Sequence, residues 1–179
     1  MQAIVHSRPA RTFWWDREPP TEAAALRAVI FDADSALVDV GRDTPRTGLV
    51  DSVMSLFCAG IWVGVVGTRR REWVETLVRH VVGDGLVETI VTVDDLADLG
   101  DLPTARAREA ELYRLTLWEL GLTPHDALAV TCSRRGLRAA TAAEMPALKI
   151  PGGYEDPEPM LACAFQRAHR RWHIDHLAA

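Results

Sequence analysis

The strongest constraint on the fold is an alternation. Five short runs rich in Val, Ile, Ala and Leu recur along the chain: RAVIFD (27–32), IWVGVVG (61–67), ETIVTV (88–93), ALAVTC (127–132) and PALKI (146–150). Stretches of helical character separate them, at about 46–59, 70–82, 104–120 and 135–144. Unbroken apolar runs of this length suit parallel strands covered on both faces. Strand and helix alternating at this spacing predict βαβ units. The expected architecture is α/β: a three-layer sandwich with a parallel, Rossmann-like sheet of about five strands. In such sheets ligands bind beyond the carboxyl ends of the strands. Function therefore belongs near Asp32, Thr68, Asp94, Cys132 and Pro151.

A chain of 179 residues with 48% hydrophobic content has enough apolar surface for one core. The expected organisation is an irregular leader over 1–25, carrying Trp14 and Trp15, and a single domain over 26–179 ending in a helix at about 158–177. The net charge of -5 argues against a nucleic-acid partner. No apolar run reaches the ~18 residues of a membrane span, and no secretory h-region opens the chain. The cytoplasm is the default compartment. Three cysteines without clustered spacing give no disulfide or zinc framework. Lys149 is the only lysine, so nearly every fixed cation is an arginine.

The first apolar run ends in Asp32-Ala33-Asp34. Two carboxylates at i and i+2 just past a strand can share one crevice, one as nucleophile and the other moving protons. The same pair also suits a turn in which aspartates cap backbone groups. The surrounding AVIFDADSALVDV resembles the first motif of the haloacid dehalogenase-like superfamily, hhhhDxDxT/V. Its Leu-Val-Asp tail resembles the phosphoglucomutase and phosphatase branch. The resemblance spans about Leu26 to Tyr154 and implies residue roles. Asp32 would accept a phosphoryl group, Asp34 would be the general acid/base, and Thr68 would hydrogen-bond the transferring group. Arg106 or Arg108 would take the place of the third motif's cation. In the fourth motif, AVTCSRRGLRAATAAEMPALKI keeps Ser133, Gly136 and the alanines, but Thr131 and Cys132 stand where the branch carries acids. Those acids help hold Mg²⁺, which would here bind weakly, through Asp32 and the Asp34 backbone carbonyl. Asp126 lies roughly 17–20 Å from the active edge and cannot replace them; Asp94, Asp95, Glu155 and Asp156 lie nearer to it.

Arginines gather at the same edge: Arg69, Arg70 and Arg71 after Thr68, and Arg134 and Arg135 after Ser133. Cations are disfavoured at helix N-termini, so either an anion sits between Arg69, Ser133, Arg134 and Arg135, or the side chains extend into water. His169, His173 and His176 share a stripe of the final helix at i, i+4, i+7; the spacing could ligate a metal and also suits the polar border of the packed face of Leu161, Phe165 and Trp172, a core or dimer contact. The segments Val40–Leu49 and Asp95–Ala105 are too short for a helical cap, which implies an open site. Together these readings imply a phosphomonoester hydrolase with an impaired magnesium site, taking a phosphorylated substrate. The alternative is a non-catalytic module that binds an anion or a protein partner. Metal-free dehalogenase chemistry is opposed by Asp34.

Overall fold

The structure, a computed structural model, describes residues 26–39, 44–45, 48–83, 85–99 and 104–150. The strands are β1 (Ala28–Asp32), β2 (Val38–Asp39), β3 (Thr44–Pro45), β4 (Trp62–Gly67), β5 (Thr89–Thr92), β6 (Ala127–Thr131) and β7 (Ala147–Lys149). The helices are α1 (Leu49–Cys58), α2 (Arg71–Val81), α3 (Ala105–Leu120) and α4 (Arg134–Ala142). Five strands form one parallel sheet in the order β5-β4-β1-β6-β7. The expected parallel α/β sheet is therefore present.

Period-two alternation in β1 explains why its run is apolar throughout. Val29 and Phe31 pack with Val63, Val65, Leu128 and Val130 against α1 and α2. Ala28 and Ile30 join Val66, Val91, Ala127 and Ala129 against α3 and α4. A strand buried on both faces has no polar side to show. β1 is central: the chain leaves it toward β4 on one side and returns to β6 on the other. The strand order reverses there, and such a reversal opens a crevice at the carboxyl ends.

Several boundaries differ from the sequence expectation. α1 starts only at Leu49, after Gly48 adopts a left-handed conformation at φ 73°. The run at 88–93 stops as strand at Thr92, because Val93–Leu99 tightens into a 3-10 helix. α4 ends at Ala142, and Glu144 follows in the left-handed region at φ 63°. The antiparallel ribbon of β2 and β3 was not expected. The segment 1–25 with Trp14 and Trp15, the acids Glu155 and Asp156, and the helix expected at about 158–177 with His169, His173 and His176 lie outside the described residues. Among the described residues no helix is long and apolar enough to cross a membrane.

Candidate active site

A crevice of about 230 Å³ opens at the reversal point. β1 supplies Asp32, and the turn after it supplies Asp34 and Ser35. Val66, Gly67 and Thr68 come from the end of β4, Glu109, Leu112 and Tyr113 from α3, and Ser133, Arg135 and Gly136 from the start of α4. Asp32, Asp34, Thr68, Ser133 and Arg135 are thus brought together.

Asp32 is 8% exposed. Its two oxygens have different surroundings. Oδ2 accepts the hydroxyls of Ser35 and Thr131, each at 2.7 Å, with the Ser133 hydroxyl at 3.5 Å. Oδ1 accepts the Asp34 N–H at 3.0 Å. The hydroxyls are themselves fixed, because Ser35 Oγ accepts the Cys132 N–H at 3.0 Å and Thr131 Oγ1 accepts the Ser133 N–H at 3.1 Å. Burial pushes the Asp32 carboxyl above its usual range, and the Asp34 charge adds to this. The Thr131, Ser35 and Asp34 hydrogen bonds oppose it only in part.

Gly136 allows this closeness. A Cβ there would lie 2.3 Å from Thr131 Oγ1 and 2.6 Å from Asp32 Oδ2. Ser133 caps α4, its hydroxyl accepting the Gly136 N–H at 2.8 Å, so the helix starts directly against the carboxylate.

Asp34 is held from the other side. Its Oδ2 accepts the Thr68 N–H at 2.7 Å and the Thr68 hydroxyl at 2.8 Å, and Arg69 Nε lies 3.5 Å from Oδ1. Arg69 stacks on Trp73, 4.1 Å from the ring centroid. Glu109 is buried, and Arg135 pairs with it from α4. The Tyr113 hydroxyl is buried without a hydrogen-bond partner among the described residues. Burial raises its pKa above the usual phenol range, with the Asp32, Glu109 and Asp34 charges adding to the rise.

Other expected residues lie elsewhere. Arg106, Arg108 and Arg134 are exposed and do not line the crevice. Arg106 and Arg108 stand in the first turn of α3, short of Glu109, Leu112 and Tyr113, the residues by which that helix lines the crevice. Asp94 and Asp95 do not reach inward. Asp94 accepts the Arg71 N–H at 2.8 Å. Asp95 pairs with the Arg71 guanidinium at 2.6 Å and accepts the Thr92 N–H at 2.7 Å. Asp126 closes a capping box with Thr123. The arginines at two helix starts therefore have a cause the sequence did not show: Arg69, Arg71 and Arg135 each face a carboxylate. Glu109 and the hydroxyls of Ser35 and Thr131 were not anticipated. The available signal for Glu109 was its place at i, i+3, i+4 with Leu112 and Tyr113.

No family profile matches the chain. Protein CbbY of Cereibacter sphaeroides is 33% identical over 119 residues, 66% of this chain, and the chain spans about half the length of that relative, 50%. The crystal structure of CbbY from Rhodobacter sphaeroides in complex with phosphate superposes with a TM-score of 0.51 at 31% identity. It covers 62% of this chain and 47% of that one. A mutant of that protein has been crystallised with xylulose-(1,5)bisphosphate. A subfamily IA hydrolase of the haloacid dehalogenase superfamily from Geobacter sulfurreducens PCA shares the fold. Its TM-score is 0.59 at 16% identity, and the match covers 78% of this chain and 100% of that one. The parallel sheet, its strand order and the likeness to that hydrolase show a haloacid dehalogenase-like fold, and in sequence the chain is similar to CbbY.

Proposed function

We propose that the crevice is a phosphomonoester hydrolase site with Asp32 as nucleophile and Asp34 as acid/base. The observation that carries this is the asymmetry of Asp32. Hydroxyls fix Oδ2, while Oδ1 accepts a single N–H among the described residues. Oδ1 is the oxygen left to attack. The Oδ1–P bond forms as the P–O bond to the leaving group breaks, and Asp34 gives its proton to that oxygen. Water then attacks the phosphorus of the aspartyl phosphate and Asp34 takes its proton. The Oδ1–P bond breaks and phosphate leaves. Thr68 and Ser133 supply hydroxyl donors at the crevice wall, and Arg69 lies beside Asp34. We read the site as uncapped, because only about ten residues connect Val40 to Leu49. CbbY, with its phosphate and bisphosphate complexes, supports a phosphorylated substrate.

The residues present do not fit a resident magnesium ion. Mg²⁺ takes near-octahedral oxygen ligands, usually one or two carboxylates plus waters and substrate phosphate. Ser35 and Thr131 engage Asp32 Oδ2, and Gly136 closes against it. Asp34 is tied to Thr68 and Arg69. Asp94 and Asp95, the other acids at this edge among the described residues, are held by Arg71.

A second reading, a non-catalytic module binding an anion or a protein, is favoured by one observation. Each carboxylate of the crevice already has partners in the chain: hydroxyls for Asp32, Thr68 and Arg69 for Asp34, and Arg135 for Glu109. Hydrolysis of a generic aryl phosphate separates the two. The hydrolase reading expects turnover that Asp32→Asn abolishes. Wild-type turnover no higher than that of Asp32→Asn selects the binding module.

A further inference from the structure

We propose that Arg135 is the cation that receives the phosphoryl group, and that Glu109 is the residue that positions it. The inference rests on the phosphohydrolase reading and supplies the positive charge that reading needs. Arg135 is the only arginine lining the crevice among the described residues. It stands in the first turn of α4, where a cation is disfavoured unless something holds it.

What holds it is Glu109. This carboxylate is 7% exposed, and a buried charge requires a partner. Both Nε and Nη2 of Arg135 contact Glu109 Oε1. Nη1 takes part in neither contact, and the Arg135 side chain is 67% exposed. One edge of the planar guanidinium is thus anchored on α3, and the opposite edge carries donors suited to phosphate oxygens. Fixing a long side chain beforehand removes an ordering cost from ligand binding.

The rival role for Glu109 is a brake that competes with phosphate for Arg135. The two roles predict opposite signs. Calorimetric titration of the full chain with inorganic phosphate reads them, with fold checked by circular dichroism. Arg135→Ala should weaken binding on the order of tenfold or more. Glu109→Ala should weaken it too, whereas Glu109→Gln, which keeps an acceptor for the guanidinium, should bind close to wild type. Because Glu109 acts through Arg135, adding Glu109→Ala to Arg135→Ala should cause no further loss. If Arg135→Ala alone does not fold, since Glu109 is then buried and unpaired, the double variant still reports the loss of phosphate binding. Tighter binding by Glu109→Ala, unchanged binding by the double variant, or no phosphate binding by the wild type overturns the proposal. Turnover equal to that of Asp32→Asn would instead sink the hydrolase reading alone, leaving Arg135-dependent phosphate binding to stand or fall by the titration.

Discussion

Replacing Thr131 with Val removes one hydroxyl and keeps the branched shape that β6 buries. Thr131 Oγ1 donates to Asp32 Oδ2 at 2.7 Å and accepts the Ser133 N–H at 3.1 Å, and Thr131 is fully buried. No cavity opens, so the effect is electrostatic. A hydrogen bond to a charged group contributes about 1.5–3 kcal/mol. Loss of that amount lowers the melting temperature of a domain this size by roughly 3–12 °C. The penalty should also depend on pH. Burial places the folded-state pKa of Asp32 above its unfolded value of 3.8. Its contribution to stability is therefore full below the unfolded value and is lost as pH rises through the folded one. Without Thr131 the folded value rises further, because that hydroxyl is the strongest influence lowering it. The gap between variant and wild type should be small where Asp32 is protonated in both. It should widen as pH passes the wild-type folded value and level off above the value in the variant. Urea unfolding across a pH series measures this. A penalty that is the same at acid and neutral pH, or absent at neutral pH, would refute the assignment of Thr131 as a donor to an ionised Asp32.

Asp32→Asn should leave the melting temperature at neutral pH equal to or above that of wild type, since it removes a charge that burial opposes; a fall of several degrees would contradict this. Calorimetric titration with Mg²⁺ should show weak binding, whereas tight stoichiometric binding lost on Asp32→Asn would show that the crevice holds the metal. Arg71→Ala should reduce stability by up to about 1 kcal/mol, because its pairs with Asp95 and Glu75 are partly exposed. The same variant should leave phosphate affinity unchanged, and a drop would extend the anion site beyond Arg135.

The sheet was legible because β1, β4 and β6 are buried on both faces and so read as unbroken apolar runs. The convergence of Asp32, Asp34 and Thr68 followed from placing each at a strand end. The pairing of Glu109 with Arg135 did not follow, since it joins residues 26 apart in the chain that lie on two different helices. Thr131 was read as a missing acid, and its role as a hydroxyl donor needs the register of β6 beside β1. The run Arg69–Arg71 left open whether an anion or water faces it, because Asp95, the partner of Arg71, is brought near only by the 3-10 turn after β5.

We propose that Asp32 accepts a phosphoryl group without a resident metal. A crystal structure of the chain grown with beryllium fluoride, in the presence and absence of Mg²⁺, tests it most directly. The account predicts BeF₃⁻ joined to Asp32 Oδ1 under both conditions, with Arg135 and Thr68 within hydrogen-bond distance of its fluorines. An Asp32 that stays bare, or that takes BeF₃⁻ only with Mg²⁺ bound beside it, would contradict the account.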